Sequence, residues 1–388
     1  MTWLRTSALL VPVLLLASTA HAEDGDDSSV SDEGETTGDA PPLSVYGFAR
    51  LDVLANDSRM SDVSQPFWVM PEPAAGRVDS EMTMSPRLSR FGLSIDEWDL
   101  GGDMTGSGLI EVDFGGGQGV NALRLRHAYA KLVFDQFIEV LAGQTWDLAS
   151  PLAPTVQTDT QMLFAGNTGD RRPQLRMSLL SKHVRFGVAA AATGTLDQRD
   201  LDGDGQLDGV ASGTPSIQGL LEVRGGRGLD SDGRLALWSH VGTDALANGD
   251  RTTASAFGLS FILPATRAVR FQGELYFGSN AADIGGGIGQ GVNKMTGKPI
   301  HAYGGWFEGA FAATDKHLLA LGVTMDRARE ADLEMGDRTQ NQTMYAALRY
   351  KPRSALQLGL DYLHWVTDYA GMSDGVANRF DAYLSVFF

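Results

Sequence analysis

The chain has 388 residues with 31 Lys and Arg against 48 Asp and Glu, a formal charge of −17. So acidic a chain lacks the basic face that nucleic-acid binding needs. It has no cysteine, which excludes disulfides and thiolate metal or redox sites.

The first residues have the form of an export signal, expected over residues 1–22. Arg5 supplies the positive start, Leu9 to Leu16 the apolar stretch and Ala20-His21-Ala22 an A-x-A cleavage site before Glu23. The apolar run is too short for a spanning helix, and no later stretch approaches the length one needs. Residues 23–42 follow as an acidic tail. Glu23, Asp24, Asp26, Asp27, Asp32, Glu33, Glu35 and Asp39 stand there with no Lys or Arg, so the tail is expected to be solvated and disordered on the periplasmic side.

From residue 43 to 388 the sequence predicts one all-β domain. In Val45–Leu54, Phe48, Arg50 and Asp52 alternate with Val45, Gly47, Ala49, Leu51 and Val53. Arg90–Asp96, Leu109–Phe114, Leu123–Phe134 and Phe137–Trp146 repeat the period of two. Further strands are predicted at Pro173–Leu180, His183–Thr193, Ser216–Arg224, Arg234–Gly242, Ala254–Leu263, Ala268–Gly278, His301–Ala312, His317–Arg327, Thr343–Tyr350, Leu356–Thr367 and Asn378–Phe388. The total is about sixteen, an even number as bacterial barrels require.

The last strand shows the pattern most clearly. Phe380, Ala382, Leu384, Val386 and Phe388 share an oily face, and Arg379, Asp381, Tyr383 and Ser385 a wet one. Connections alternate between short turns, such as Asp135-Gln136 and Ser181-Lys182, and long segments, such as Asn56 to Pro86, Asp147 to Arg172, Gly194 to Pro215 and Ser279 to Ile300. Together these predict a transmembrane antiparallel β-barrel with short periplasmic turns and long extracellular loops, in the outer membrane among lipid and lipopolysaccharide.

Arginine carries the functional expectation. Arg50, Arg90, Arg124, Arg126, Arg176 and Arg185 all fall on the face opposite the apolar one. On the lipid side at mid-membrane each would cost about 2–4 kcal/mol, so alternation assigns them to the lumen. A ring of fixed guanidinium charge selects permeant ions and would favour small anions such as carboxylates. The same residues could instead pair with Asp52, Asp96, Glu111 and Asp113 and only hold the lumen open.

The segment from Asp147 to Arg172 either folds into the pore, with Asp147, Asp159 and Asp170 opposite the arginines, or covers the outer mouth. Asp200, Asp202, Asp204 and Asp208 have the oxygen spacing of a calcium loop, but Ala211 stands where the bidentate Glu belongs. A weak external calcium site and an acidic solvated loop both fit. No other cofactor is expected, and no H-E-x-x-H or G-x-S-x-G motif points to an enzyme.

Four segments resemble Gram-negative trimeric porins, most closely the DcaP type: Ser89-Arg90-Phe91-Gly92-Leu93-Ser94, Leu123-Arg124-Leu125-Arg126-His127-Ala128-Tyr129, Leu141-Ala142-Gly143-Gln144-Thr145-Trp146 and Arg172-Pro173-Gln174-Leu175-Arg176. The resemblance implies a sixteen-stranded homotrimer whose third outer loop narrows the lumen for small anionic solutes. Arg90, Arg124, Arg126 and Arg176 would be its basic wall, with Gln144 beside them, and Arg172 is a further candidate for the constriction. Phe388 looks like the terminal aromatic read by the barrel-assembly machinery. The periplasmic coiled coil expected of DcaP-type proteins has no counterpart in the acidic tail. An alternative for the whole is a plugged barrel with a structural, adhesive or receptor role.

Overall fold

The computed structural model describes residues 41–73, 79–116, 122–156, 159–193, 208–225, 233–246 and 249–388. The export signal lies outside them, as do the acidic tail except the exposed Pro41 and Pro42, and Asp200, Asp202 and Asp204 of the calcium-like segment. Asp208 opens a four-residue helix, α1 (Asp208–Ala211). Among the described residues no group of acids or histidines has the arrangement of a metal site.

The strands are β1 (Leu43–Asn56), β2 (Glu81–Ser85), β3 (Arg90–Gly101), β4 (Met104–Gly116), β5 (Ala122–Phe134), β6 (Ile138–Trp146), β7 (Arg171–Leu180), β8 (Val184–Ala191) and β9 (Ser216–Arg224). They continue as β10 (Arg234–Ala245), β11 (Arg251–Pro264), β12 (Val269–Ser279), β13 (His301–Thr314), β14 (His317–Ala328), β15 (Arg338–Arg353), β16 (Leu356–Tyr369) and β17 (Gly375–Phe387). Each pairs antiparallel with its chain neighbours except β2 and β3, which do not pair with each other. β17 returns to β1 in the register Phe48↔Phe387 to Asn56↔Arg379, which closes the sheet.

Both β2 and β3 lie against β1, β2 beside Asp52–Asn56 and β3 beside Leu43–Phe48. They are one wall strand interrupted at residues 86–89, so the barrel has sixteen strands. That broken strand corrects the expectation of a single loop from Asn56 to Pro86, which contains β2. Closure needs the last residue: the Gly47 and Phe388 backbones exchange N–H···O bonds of 3.1 and 3.0 Å.

Side-chain parity matches the alternation. Leu51, Phe91, Ile110, Leu175, Phe186, Leu321 and Leu384 stand exposed on the outer face. Asp52, Arg90, Glu111, Asp113, Arg126, Arg176 and Asp381 are buried inside. Branched and aromatic side chains suit a pleated surface against acyl chains. Asp135 and Gln136 both have positive φ, as the tight turn they centre between β5 and β6, closed by the Phe137 N–H on the Phe134 carbonyl at 2.9 Å, requires.

Three long segments fold inward rather than outward. In the β6–β7 loop, Val156, Met162 and Ala165 pack against Tyr345, Leu363 and Trp365 of the inner wall, together with Met60 and Val69 of the β1–β2 segment. In the β12–β13 loop, Ala281 and Ile284 join Leu148, Trp238 and Tyr276 in a second cluster. Irregular backbone at membrane depth is stable only where protein or water covers it.

Candidate functional site: the lumen constriction

The wall from β3 to β5 carries a ladder of charges in contact. Arg90 reaches Glu111 at 3.3 Å, and Arg126 bridges Glu111 at 2.8 Å and Asp113 at 2.9 Å. Arg124 grips Asp113 with two donors, at 2.9 and 2.8 Å. Its second amino group also meets Asp159 of the β6–β7 loop at 3.2 Å. Arg87, in the break between β2 and β3, lies 3.6 Å from Asp159 and donates to the Gly115 carbonyl at 2.9 Å. Tyr46 caps the ladder by donating to Glu111 at 2.8 Å. Forked guanidinium–carboxylate contacts hold both geometry and charge.

A β-bulge makes this density attainable. The β4–β5 register shifts between Glu111 and Val112, so Arg126 and His127, adjacent in sequence, are both buried inside. His127 sits 3.0 Å from the Thr145 hydroxyl. A bulge re-aims side chains in this way.

The β6–β7 loop is fastened to both sides of the barrel. On the arginine side the anchors are Asp159 and Asp147, and Asp147 pairs at 2.7 Å with Arg172, which is completely buried. Arg172 also approaches Asp283 of the β12–β13 loop at 3.4 Å, and Asp283 lies 2.5 Å from His240. Across the lumen, Glu274 accepts from the Ser150 hydroxyl at 2.5 Å and the Leu152 amide at 2.8 Å. Glu308 accepts from the Thr155 amide at 2.8 Å and hydroxyl at 2.6 Å. Arg349 donates to the Thr155 carbonyl at 2.7 Å. The loop therefore lies inside the barrel, which decides between the two placements the sequence allowed.

Between this loop and the wall is a cleft lined by Arg50, Asp52, Arg87, Asp159, Asp361 and Asp381. Its free space is about 10 Å³, on the order of one water molecule. Arg50 pairs with Asp52 at 2.5 Å, Arg379 with Asp381 at 2.8 Å, and Arg349 with Asp361.

The predicted residues divide clearly. Arg50, Arg90, Arg124, Arg126, Arg172, Arg176 and Arg185 all face inward. Arg185 pairs with Glu139 at 3.0 Å, while Arg176 bonds to the Gln174 side chain and the Trp146 carbonyl. Asp170 stands beside Arg171, which stacks over Trp146, rather than opposite the ladder.

Gln144 is a correction. It shares the outer face with Ala142 and Pro173 and donates to the Leu125 carbonyl at 2.6 Å. The motif alone could not show that, because parity runs from the strand rather than from neighbouring motifs. Asp96 is also corrected: it is exposed and pairs with none of the arginines, since the β3–β4 register breaks between Ile95 and Trp98.

Sequence reasoning missed Arg87, which no period marks because it lies in a strand break. Arg349, Glu274 and Glu308 were within reach, since each alternates with apolar outer-face neighbours.

No protein-family model and no curated protein sequence matches the chain. Solved structures do. The outer membrane channel DcaP of Acinetobacter baumannii is similar with a TM-score of 0.73 at 17% identity, over 92% of this chain and 100% of that one. The chain has the porin fold. An anion-selective porin from Comamonas acidovorans has a TM-score of 0.59 at 14% identity, over 90% of this porin-fold chain and 100% of its own. OmpT of Vibrio cholerae, in a trimer form, has a TM-score of 0.55 at 11% identity, over 90% and 100%. All three are outer-membrane barrels, and at these identities the shared property is the fold.

Proposed function

We propose that the chain forms a water-filled channel in the outer membrane of a Gram-negative cell, for passive diffusion of small hydrophilic solutes, with a constriction that leans toward anions. One observation carries this function: the charge balance of the β3–β5 ladder and of the cleft beside it. Arg87, Arg90, Arg124 and Arg126 stand against Glu111, Asp113 and Asp159, four guanidiniums to three carboxylates. Around the cleft, Arg50, Arg349 and Arg379 are matched one for one by Asp52, Asp361 and Asp381.

The local excess is therefore small, and the preference for anions is expected to be modest. Anion selectivity in the Comamonas acidovorans porin and the trimer form of OmpT support extending both properties here, as a homotrimer passing small anions such as carboxylates. Reversal potentials across a planar bilayer in a salt gradient test the charge lean, and cation preference in the wild-type barrel would refute it.

A plugged barrel with a structural or receptor role is favoured by one specific observation, the three inward-folded segments and the narrow cleft left between the β6–β7 loop and the wall. The same bilayer separates the two, because a plugged barrel passes negligible current.

A further inference from the structure

At the long-loop end of the barrel, four large apolar side chains stand exposed among the described loop residues: Val210, Met295, Met335 and Met372. Three of the four are methionines. They belong to different connections, β12–β13, β14–β15 and β16–β17, and the fold gathers them in one place.

The last two connections are tied together by backbone. Gly336 donates to the Ala370 carbonyl and Ala370 to the Asp337 carbonyl, each at 2.8 Å. Both turns use glycine in the left-handed region, Gly336 at φ 89° and Gly371 at φ 67°. The room left by the missing side chains is filled reciprocally. The Met335 sulfur occupies the place that a Cβ on Gly371 would take, and the Met372 sulfur lies 3.4 Å from where one would stand on Gly336. Met295 is drawn to the same turn by its amide, which donates at 3.2 Å to Glu334, the residue before Met335. The Asn293 side chain fixes that approach by donating to the Asp332 carbonyl at 3.0 Å.

Hydrophobic burial does not account for this gathering, since Met295 is 82%, Met335 80% and Met372 49% exposed. What methionine offers at such positions is its polarizable thioether, a soft ligand of the kind that selects Cu(I). The chain has no cysteine, so no thiolate competes with these sulfurs. Glu334 adds a negative charge beside them, which favours a cation. Zinc and calcium call for imidazole, thiolate or several oxygens, whereas the donors gathered here are three thioethers and one carboxylate.

We infer that Met295, Met335 and Met372 form a site at the outer mouth for a soft monovalent cation, Cu(I), bound through their sulfurs. The site depends neither on conduction nor on the charge preference of the lumen.

The test uses the full chain folded in detergent micelles, in chloride-free buffer. Ag(I) is the probe, because it shares the charge and softness of Cu(I) without its redox chemistry. Isothermal titration should saturate at one Ag(I) per chain, and the labelled methyl signals of the three methionines should move together. Met335→Leu and Met372→Leu keep the apolar bulk and remove the sulfur. Each should weaken Ag(I) binding by at least about tenfold, the loss that follows even from removing an outer partner of a metal site. Met344→Leu, on the lipid face, should leave binding unchanged. Cu(I) supplied with ascorbate should displace Ag(I), and Zn(II) should not.

Absence of saturable Ag(I) uptake would overturn the inference, as would equal uptake by the wild type and the Met335→Leu, Met372→Leu double variant. Displacement by Zn(II) would also overturn it, because the ion would then belong to oxygen donors such as Glu334. The substituted loop positions are exposed, and the cold-to-boiled mobility shift of a folded barrel checks each variant.

Discussion

Arg172→Met tests how the inward loops are held. The wild-type guanidinium is completely buried and joins three elements: β7, Asp147 at the start of the β6–β7 loop at 2.7 Å, and Asp283 in the β12–β13 loop at 3.4 Å. It also donates to the Asp283 and Ala192 carbonyls at 2.8 and 3.1 Å. Met preserves much of the volume and removes every donor. Asp147 keeps Gln218 at 2.7 Å and Asp283 keeps His240, but two carboxylates remain buried with no guanidinium between them.

Removing one partner from a buried ion pair costs about 3–5 kcal/mol, mostly through the charge left behind. Even 3 kcal/mol raises the population of the released loop on the order of a hundredfold. Hydrogen exchange of the amides of Leu148, Ala149, Ala282 and Ile284 should accelerate by that factor, while amides of β13–β16 should not change. Single-channel current should become larger and noisier. The triple variant Arg172→Met, Asp147→Asn, Asp283→Asn should recover most of the protection, because no uncompensated charge remains. Unchanged exchange in Arg172→Met, or no recovery in the triple variant, would refute the latch.

Three further outcomes follow from the same geometry. Arg124→Gln removes the least buried guanidinium of the ladder, 22% exposed at its side chain, and should shift the reversal potential toward cations while strand content stays the same by circular dichroism. Leu321→Arg, on the outer face at mid-strand and 54% exposed, should lower unfolding stability in lipid vesicles by about 2–4 kcal/mol; a neutral effect would mean that this face does not meet acyl chains. Deleting Phe388 removes both backbone bonds to Gly47 at the closing seam, and should reduce the yield of folded barrel in refolding into detergent micelles, whereas Phe388→Tyr, which retains the backbone, should not.

Strand identity and facing were legible because they are local. A residue's transfer energy to lipid or water acts on that residue alone, and a period of two in β17 or β4 needs no knowledge of the rest of the chain. The same locality explains the failures. β2 alternates polar and apolar residues, with Met82 and Met84 outward, but only over five residues, short enough to be absorbed into the Asn56–Pro86 loop. The bulge that turns both Arg126 and His127 inward depends on β4 slipping against β5, which neither strand shows by itself. Gln144 was placed by motif rather than by counting along β6, and counting would have put it outside.

The amino-acid sequence by itself determined that this chain is an amphipathic barrel, with guanidiniums on the wet face and a terminal aromatic on the oily one. Only the tertiary structure decided which arginine meets which acid, that the 147–170 segment lies inside, and that the charge left over is small. Those outcomes depend on register and closure between residues as far apart as Thr155 and Arg349, where the strength of an ion pair depends on distance and burial and hardly at all on position along the chain.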